Sequence, residues 1–282
     1  MGHGTAPDFR VVIATALERV PDDPWRIDTR GMLLSGRAEV KFASTPESVA
    51  DGFVVCMPDA ALVSIVGRPP RALIRDTVED LDGDVNVLCQ PADAAHVESA
   101  LPAWARTIAI LHALPAHPAW ADGRETDTRI FHKGDAPSLT HVPARLRQEL
   151  MDALRGRTTS RFVPGALPAP NPIQGPIPDL PPPLEPMAIA ASWSAGRAVA
   201  FCYPVLRTES WWDISIETLE AYRRQGHAGR AVRAMTRHMW QTGRSPVWGA
   251  TATNTPSLML ARSLGFQEVG RLSVFTPRQA GG

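Results

Sequence analysis

The sequence predicts an α/β protein of the α+β kind built on a mixed sheet, and three features predict it. Short runs of Val, Ile, Leu and Phe alternate with helix-like stretches in the first half. A hairpin pattern surrounds Ser194-Ala195-Gly196-Arg197. From residue 211 onward the texture runs strand, helix, strand, helix, strand.

Taken in order, residues 53–57 (FVVCM) and 61–66 (ALVSIV) read as strands around a turn at Pro58-Asp59. Residues 84–89 (DVNVLC) read as a third strand. Residues 91–104 are helix-like, with Ala95, Val97, Ala100 and Leu101 available for one face, and residues 106–114 (RTIAILHAL) follow as a strand. Residues 84–114 thus form a strand–helix–strand unit without a catalytic constellation. A polar connection at 117–127 leads to a short strand at 128–132. Residues 143–154 predict a helix, since Leu146, Leu150 and Leu154 recur every four positions and Gly156 sits where a helix would stop.

Ten prolines crowd residues 164–186. Each removes a backbone donor and fixes φ, so no regular helix forms there. The segment reads as an extended connector, with a polyproline ligand for a partner domain as the alternative. Beyond it, residues 187–193 and 198–206 are the two strands of the hairpin. Residues 211–219 (WWDISIETL) alternate strongly, 226–241 form a helix with Ala231, Val232, Met235 and Met239 on one face, 246–252 a strand, 256–264 a helix, and 266–275 the last strand or strand pair.

The bulk numbers bound the function. The chain has 282 residues and is 44% apolar, enough for one large or two ordinary domains with a real core. Its 29 basic and 29 acidic residues balance, which argues against nucleic-acid binding as the main role. Three scattered cysteines, with no CxxC pair, argue against a zinc site or disulfide framework and suit a reducing cytoplasm. No secretion signal opens the chain, Ala6 removes the myristoylation pattern, and no run approaches a membrane span. No metal, membrane or nucleic-acid partner is expected, and a homodimer is left open.

Two segments carry chemistry. The first is Tyr222-Arg223-Arg224-Gln225-Gly226-His227-Ala228-Gly229-Arg230, between a strand and a helix. A pyrophosphate needs several backbone N–H groups aimed at one spot, and a helix N-terminus supplies them. Gly226 and Ala228 let the backbone approach, and the arginines add positive charge. The plain alternative is a capped helix with a solvated basic edge. The second segment is Asn254-Thr255-Pro256-Ser257 leading to Leu264-Gly265-Phe266, with a capping residue, Pro at the first turn and Gly past the end. By itself it is a well-punctuated short helix.

In this order the two segments resemble the GNAT superfamily of N-acetyltransferases over about residues 187–276: Arg223-x-x-Gly226-x-Ala228, the strand at 246–252, Asn254, and Leu264-Gly265-Phe266. The resemblance implies a GNAT-type acyl-CoA-binding domain at 126–282, with the proline-rich connector inside it and residues 128–156 supplying its first strand and helix. Residues 1–125 form an α/β region without a motif of the family, and the strand–helix–strand pattern suggests a degenerate half of the same fold. A fragment beginning near residue 125 is therefore expected to bind acetyl-CoA alone, and one beginning at 187 to aggregate.

The resemblance further implies acetyl-CoA as co-substrate and an amine, on a small molecule or a protein, as acceptor. The pantetheine arm would lie along the main chain of Ile216, Glu217 and Thr218, in a gap between two splayed strands. The phosphates would meet the amides of Arg224, Gln225, Gly226, His227, Ala228 and Gly229, with His227 contributing main chain, and Asn254 would touch the cofactor. Asp213 and Glu217 share a strand face and are the candidate bases, Asp213 favoured by family precedent; each has a structural alternative as the partner of an arginine. The family's usual tyrosine acid, seven residues after the asparagine, is Ala261 here, leaving Ser257, Cys202 or a water. Trp211, Trp212 and Trp248 are candidates for an acceptor pocket or for core. A non-catalytic acyl-CoA-binding or regulatory module, and an interaction protein using residues 164–186, are the competing functions.

Overall fold

The computed structural model describes residues 9–43, 51–115, 117–123, 125–156 and 187–278; the proline-rich segment 164–186 lies outside them. Helices Phe9–Arg19 (α1) and Ile27–Leu34 (α2) precede strands Glu39–Lys41 (β1), Gly52–Met57 (β2) and Leu62–Gly67 (β3). Arg71–Glu79 (α3), Asn86–Cys89 (β4), Ala94–Ala100 (α4) and Trp104–Ala113 (β5) complete the first half. Thr128–Phe131 (β6) and Ala144–Leu154 (α5) open the second. Ile189–Ser194 (β7), Arg197–Arg207 (β8), Trp211–Thr218 (β9), His227–Trp240 (α6), Ser245–Thr251 (β10), Thr255–Ser263 (α7) and Gln267–Pro277 (β11) close it.

Local chemistry explains most boundaries. The helix expected over 91–104 ends at Ala100, because Pro102 cannot continue the backbone ladder. The β7–β8 hairpin turns through Ala195 at φ 47° and Gly196 at φ 76°, two left-handed residues as a type I′ turn requires. Helix α7 is capped by Asn254, whose side chain accepts from the Ser257 amide at 3.3 Å.

All eleven strands form a single mixed sheet in the order β1-β2-β3-β4-β11-β5-β10-β9-β8-β7-β6. Each half repeats one plan. An antiparallel pair (β2–β3, β8–β9) leads through a helix to a parallel neighbour (β4, β10), then through a second helix to a last strand (β5, β11). The last strands are exchanged. β5 lies antiparallel to β10 of the other half, β11 lies antiparallel to β4, and β5 and β11 pair with each other from Ala113↔Gln267 to Pro277↔Trp104. The sheet therefore runs across the boundary drawn at residue 125. β6 and α5 supply the strand and helix expected from 128–156.

One apolar layer covers a whole face. It joins Ile13 and Ala16 of α1, Val20 just after it, Met32 and Leu33 of α2, and Leu150 and Leu154 of α5 to strand residues of both halves, among them Phe53, Leu111, Phe201 and Leu272. The opposite face carries two separate clusters, α3 and α4 over β2–β4 and α6 and α7 over β7–β10. Polar ties also cross between halves. Arg30 of α2 reaches Glu209 in the β8–β9 turn at 2.6 Å, and Asp22 accepts from the Ser210 amide at 2.9 Å.

Candidate active site

β9 and β10 are paired over three residues only: Ser245↔Trp211, Pro246↔Trp212 and Val247↔Asp213. Beyond that point both strands continue, β9 to Thr218 and β10 to Thr251, without pairing to each other. Each remains held by its outer neighbour. Cys202, Phe201 and Ala200 pair with Ile216, Glu217 and Thr218, and residues 109–111 pair with 249–251. The sheet thus opens into a gap whose β9 wall is the main chain of residues 214–218. Buried backbone groups demand hydrogen bonds, so an extended amide-bearing chain suits this wall.

The chain leaves β9 through a short turn at Glu220–Tyr222 and enters α6 by a tight path. Arg224 at φ 62° and Gly226 at φ 82° both adopt the left-handed region. Such alternation makes successive N–H groups converge on a concavity that favours an anion. Gly226 is the N-cap and offers no side-chain cap. Among the described residues, the amides of residues 224–229 have no hydrogen-bond acceptor. Six uncommitted donors at the positive end of a fourteen-residue helix lie at the mouth of the gap. These are the positions Arg224, Gln225, Gly226, His227, Ala228 and Gly229 singled out by the motif.

The equivalent place in the first half is built differently. β3 passes directly to α3 through Gly67-Arg68-Pro69-Pro70-Arg71. Pro69 and Pro70 have no N–H, the Arg68 amide is spent on Asp51 O at 3.1 Å, and the His96 ring bonds Pro69 O at 2.7 Å. β3 outruns its pairing with β4 by residues 66 and 67 alone, and β4 ends at the last pair. There is no gap, and the amides left free are only those of the first turn of α3, residues 71–73, rather than six in a row.

Three side chains move from their sequence-based roles. Trp212 and Trp248 are fully buried in the cluster under α6 and α7, so they are core; large aromatic area wins over display to solvent. Cys202 is fully buried among apolar neighbours, and burial holds its thiol well above its ordinary range, which removes it as a proton donor. His227 keeps its main-chain place at the loop, but its ring is buried. Nδ1 lies 2.9 Å from Ser192 Oγ and 2.8 Å from Arg230 Nη2. Burial, then Arg230, lower its pKa.

The two acids on β9 are not equivalent. Both fall on the face toward α2 and α5, opposite Trp212, Ile214 and Ile216. Asp213 is fully buried and stands in the paired part of the strand, opposite Val247. Glu217 stands beyond the pairing and is solvent-accessible. Its carboxyl is nonetheless pushed above its usual value, first by partial burial and then by the nearby Glu149 carboxylate of α5; Arg223 and Arg145 oppose the shift. On α7, Ala261 is fully buried beneath the helix, whereas Ser257, one turn earlier, is part-exposed and accepts from the Trp248 indole at 2.9 Å.

Comparison with known proteins agrees with this geometry. A family model described as GNAT acetyltransferase matches residues 190–275. No curated protein matches the chain in sequence. Among solved structures, a GCN5-related N-acetyltransferase-like protein from Streptococcus suis 89/1591 superposes with a TM-score of 0.65 at 14% identity, covering 96% of this chain and 100% of that one. An acetyltransferase of the GNAT family from Colwellia psychrerythraea gives 0.53 at 13% identity, over 95% and 94% of the two chains. A GCN5-related N-acetyltransferase from Kribbella flavida gives 0.51 at 14% identity, over 98% of both. At these identities the likeness is one of fold, and it extends over both halves. The chain has the GNAT fold, and its residues 190–275 match the GNAT acetyltransferase family model.

Proposed function

We propose that this protein transfers the acetyl group of acetyl-CoA to an amine by direct attack. The observation that carries the proposal is the junction of two features in one place: a sheet gap walled by residues 214–218 and six uncommitted amides at residues 224–229. A pantetheine arm offers amides to the first, and a pyrophosphate offers oxygens to the second. Main-chain N–H groups of residues 216–218 would polarise the thioester carbonyl as charge develops on its oxygen. The free carboxylate of Glu217 would take the proton released as the C–N bond forms and the C–S bond breaks. Glu217 suits this role better than Asp213, which is enclosed away from the gap. Asn254, committed through Oδ1 to capping α7, keeps its Nδ2 for the cofactor. Free, buried cysteines suit a reducing compartment such as the cytoplasm.

A second reading, a non-catalytic acyl-CoA-binding module, is favoured by one observation. α7 carries no tyrosine, and its usual position is a buried alanine. Measuring CoA thiol release from acetyl-CoA against a panel of small amines and peptide N-termini separates the two. Amine-dependent release supports transfer. Tight acetyl-CoA binding with no release from any amine supports the module.

A further inference from the structure

The chain passes from β5, in the middle of the sheet, to β6 at its edge, and on the way it grips both helices beside the gap. A short turn at Ala119–Asp122 carries Trp120. Its indole Nε1 donates to the carbonyl of Leu264, the C-cap of α7, at 3.0 Å. Its own carbonyl accepts from Arg237 Nη1 of α6 at 3.1 Å. Its ring stacks with Trp240, the last residue of α6, at 5.9 Å, and His117 stacks with the same Trp240 ring at 4.4 Å. Further on, Glu125 accepts from Arg233 Nε at 2.5 Å and Nη2 at 3.2 Å, with Arg237 Nη2 at 3.9 Å. The Glu125 side chain is only 14% exposed, so this charge-assisted fork is largely shielded from water.

Gly229, Arg233 and Arg237 recur every four residues and Trp240 follows three later, so these contacts run along one stripe of α6. The stripe ends at the cradle. Arg233 Nη1 and Leu264 Cδ2 stand 3.5 and 3.8 Å from where a Cβ on Gly229 would be. Glu125 holds the first of these residues and Trp120 the second. A carbonyl at a helix C-terminus has no partner within its helix, so the indole N–H also satisfies a group that α7 leaves open. Resting on the coenzyme reading above, we propose that Trp120 and Glu125 form a clasp that sets the first turn of α6 against α7 and so positions the amides of residues 224–229 for acetyl-CoA. Neither residue belongs to the cradle or to the gap wall. Both are positioning residues, acting through Leu264 and Arg233 on Gly229.

The test measures acetyl-CoA affinity by calorimetry, and urea unfolding without ligand, on the full chain and on Trp120→Phe, Glu125→Gln and Arg30→Gln. Trp120→Phe keeps an aromatic ring and removes the donor to Leu264 O. Arg30→Gln weakens a different tie between the halves, Arg30 to Glu209, and controls for lost stability alone. Trp120→Phe and Glu125→Gln are each expected to raise the acetyl-CoA Kd by about fivefold or more while remaining folded. Arg30→Gln is expected to lower the unfolding midpoint and keep the parent Kd. In amine-dependent CoA release, the KM for acetyl-CoA should rise in both clasp variants while kcat holds. An unchanged Kd in either clasp variant, or the same rise in Arg30→Gln, overturns the clasp and leaves the coenzyme reading standing. Failure of the parent to bind acetyl-CoA removes the coenzyme reading and the clasp with it. Binding without release from any amine removes transfer alone, and calorimetry then decides the clasp.

Discussion

Ala109, in the first half of the chain, lies opposite Thr251, the last residue of β10 in the second half. On its other edge β5 is paired with β11 along its whole length, Ala109 with Leu272. The strand that completes the sheet beside the gap therefore comes from upstream of residue 125. A fragment of residues 126–282 would leave the facing edges of β10 and β11 without β5, and exposed unpaired edges invite aggregation. The sequence-based expectation that such a fragment binds acetyl-CoA alone is thus reversed. Expressed by itself, it is expected to be insoluble or to lack a cooperative thermal transition, and co-expression with residues 1–125 to restore it. A soluble, cooperative 126–282 fragment would show that β5 is dispensable.

Gly31 tests how tightly the upstream helices sit on the downstream strands. A Cβ there would lie 2.8 Å from Leu206 Cβ, with no positive φ to complicate the reading. Gly31→Ala gains up to about 1 kcal/mol of helix propensity but forces α2 from β8, an overpacking that costs about 1–3 kcal/mol. A net fall in stability, read from urea unfolding, is expected. A rise would mean that the α2–β8 contact yields easily.

The acid pair at the gap fixes a pH dependence. Because the Glu217 pKa is raised, its ionised form grows in above the ordinary carboxylate range, and the rate should rise with pH across that window. Removing the Glu149 charge takes away a raising influence, so Glu149→Gln should shift the rising limb to lower pH. Arg223→Gln should shift it to higher pH. Glu217→Gln should lose turnover by about 10²-fold or more and lose the limb altogether. A group with a raised folded pKa stabilises the fold at low pH and loses that contribution as pH rises through it. Glu217→Gln should therefore be no less stable than the parent at neutral pH, which separates lost catalysis from lost folding. Parent-like turnover in this variant would mean that another group or a water takes the proton.

Restoring the family's tyrosine should not restore an acid. Ala261 has no exposed surface and packs with Trp248 and Phe266 in one cluster. Ala261→Tyr should overpack that core and lower the unfolding midpoint, with no gain in turnover. Increased kcat at unchanged stability would show that the ring finds the gap.

Much of this was legible in the sequence because it is written locally. The alternation of WWDISIET, the face formed by Ala231, Val232, Met235 and Met239, and the Asn254–Pro256 start of α7 each determine an element within a few residues of themselves. The amide cradle was legible for the same reason, since Gly226 and its neighbours are contiguous. Strand exchange was not. β5 and β11 carry no local mark of their partners, and pairing Ala109 with Leu272 is a choice made by the whole sheet. α3 was missed although Ile74 and Val78 recur at helical spacing after Pro69-Pro70. The difference between Asp213 and Glu217 depends on where β9 and β10 part, which strand spacing alone does not give.

The most direct test of the central claim is amide hydrogen exchange, read with and without acetyl-CoA. Slowed exchange is expected in peptides covering residues 214–218 and 224–229, and no change in peptides covering 62–74, where there is no gap and Pro69, Pro70 and the Asp51 contact leave no free amide ahead of α3. Protection at 62–74, or none at 214–229 under saturating acetyl-CoA, would contradict it.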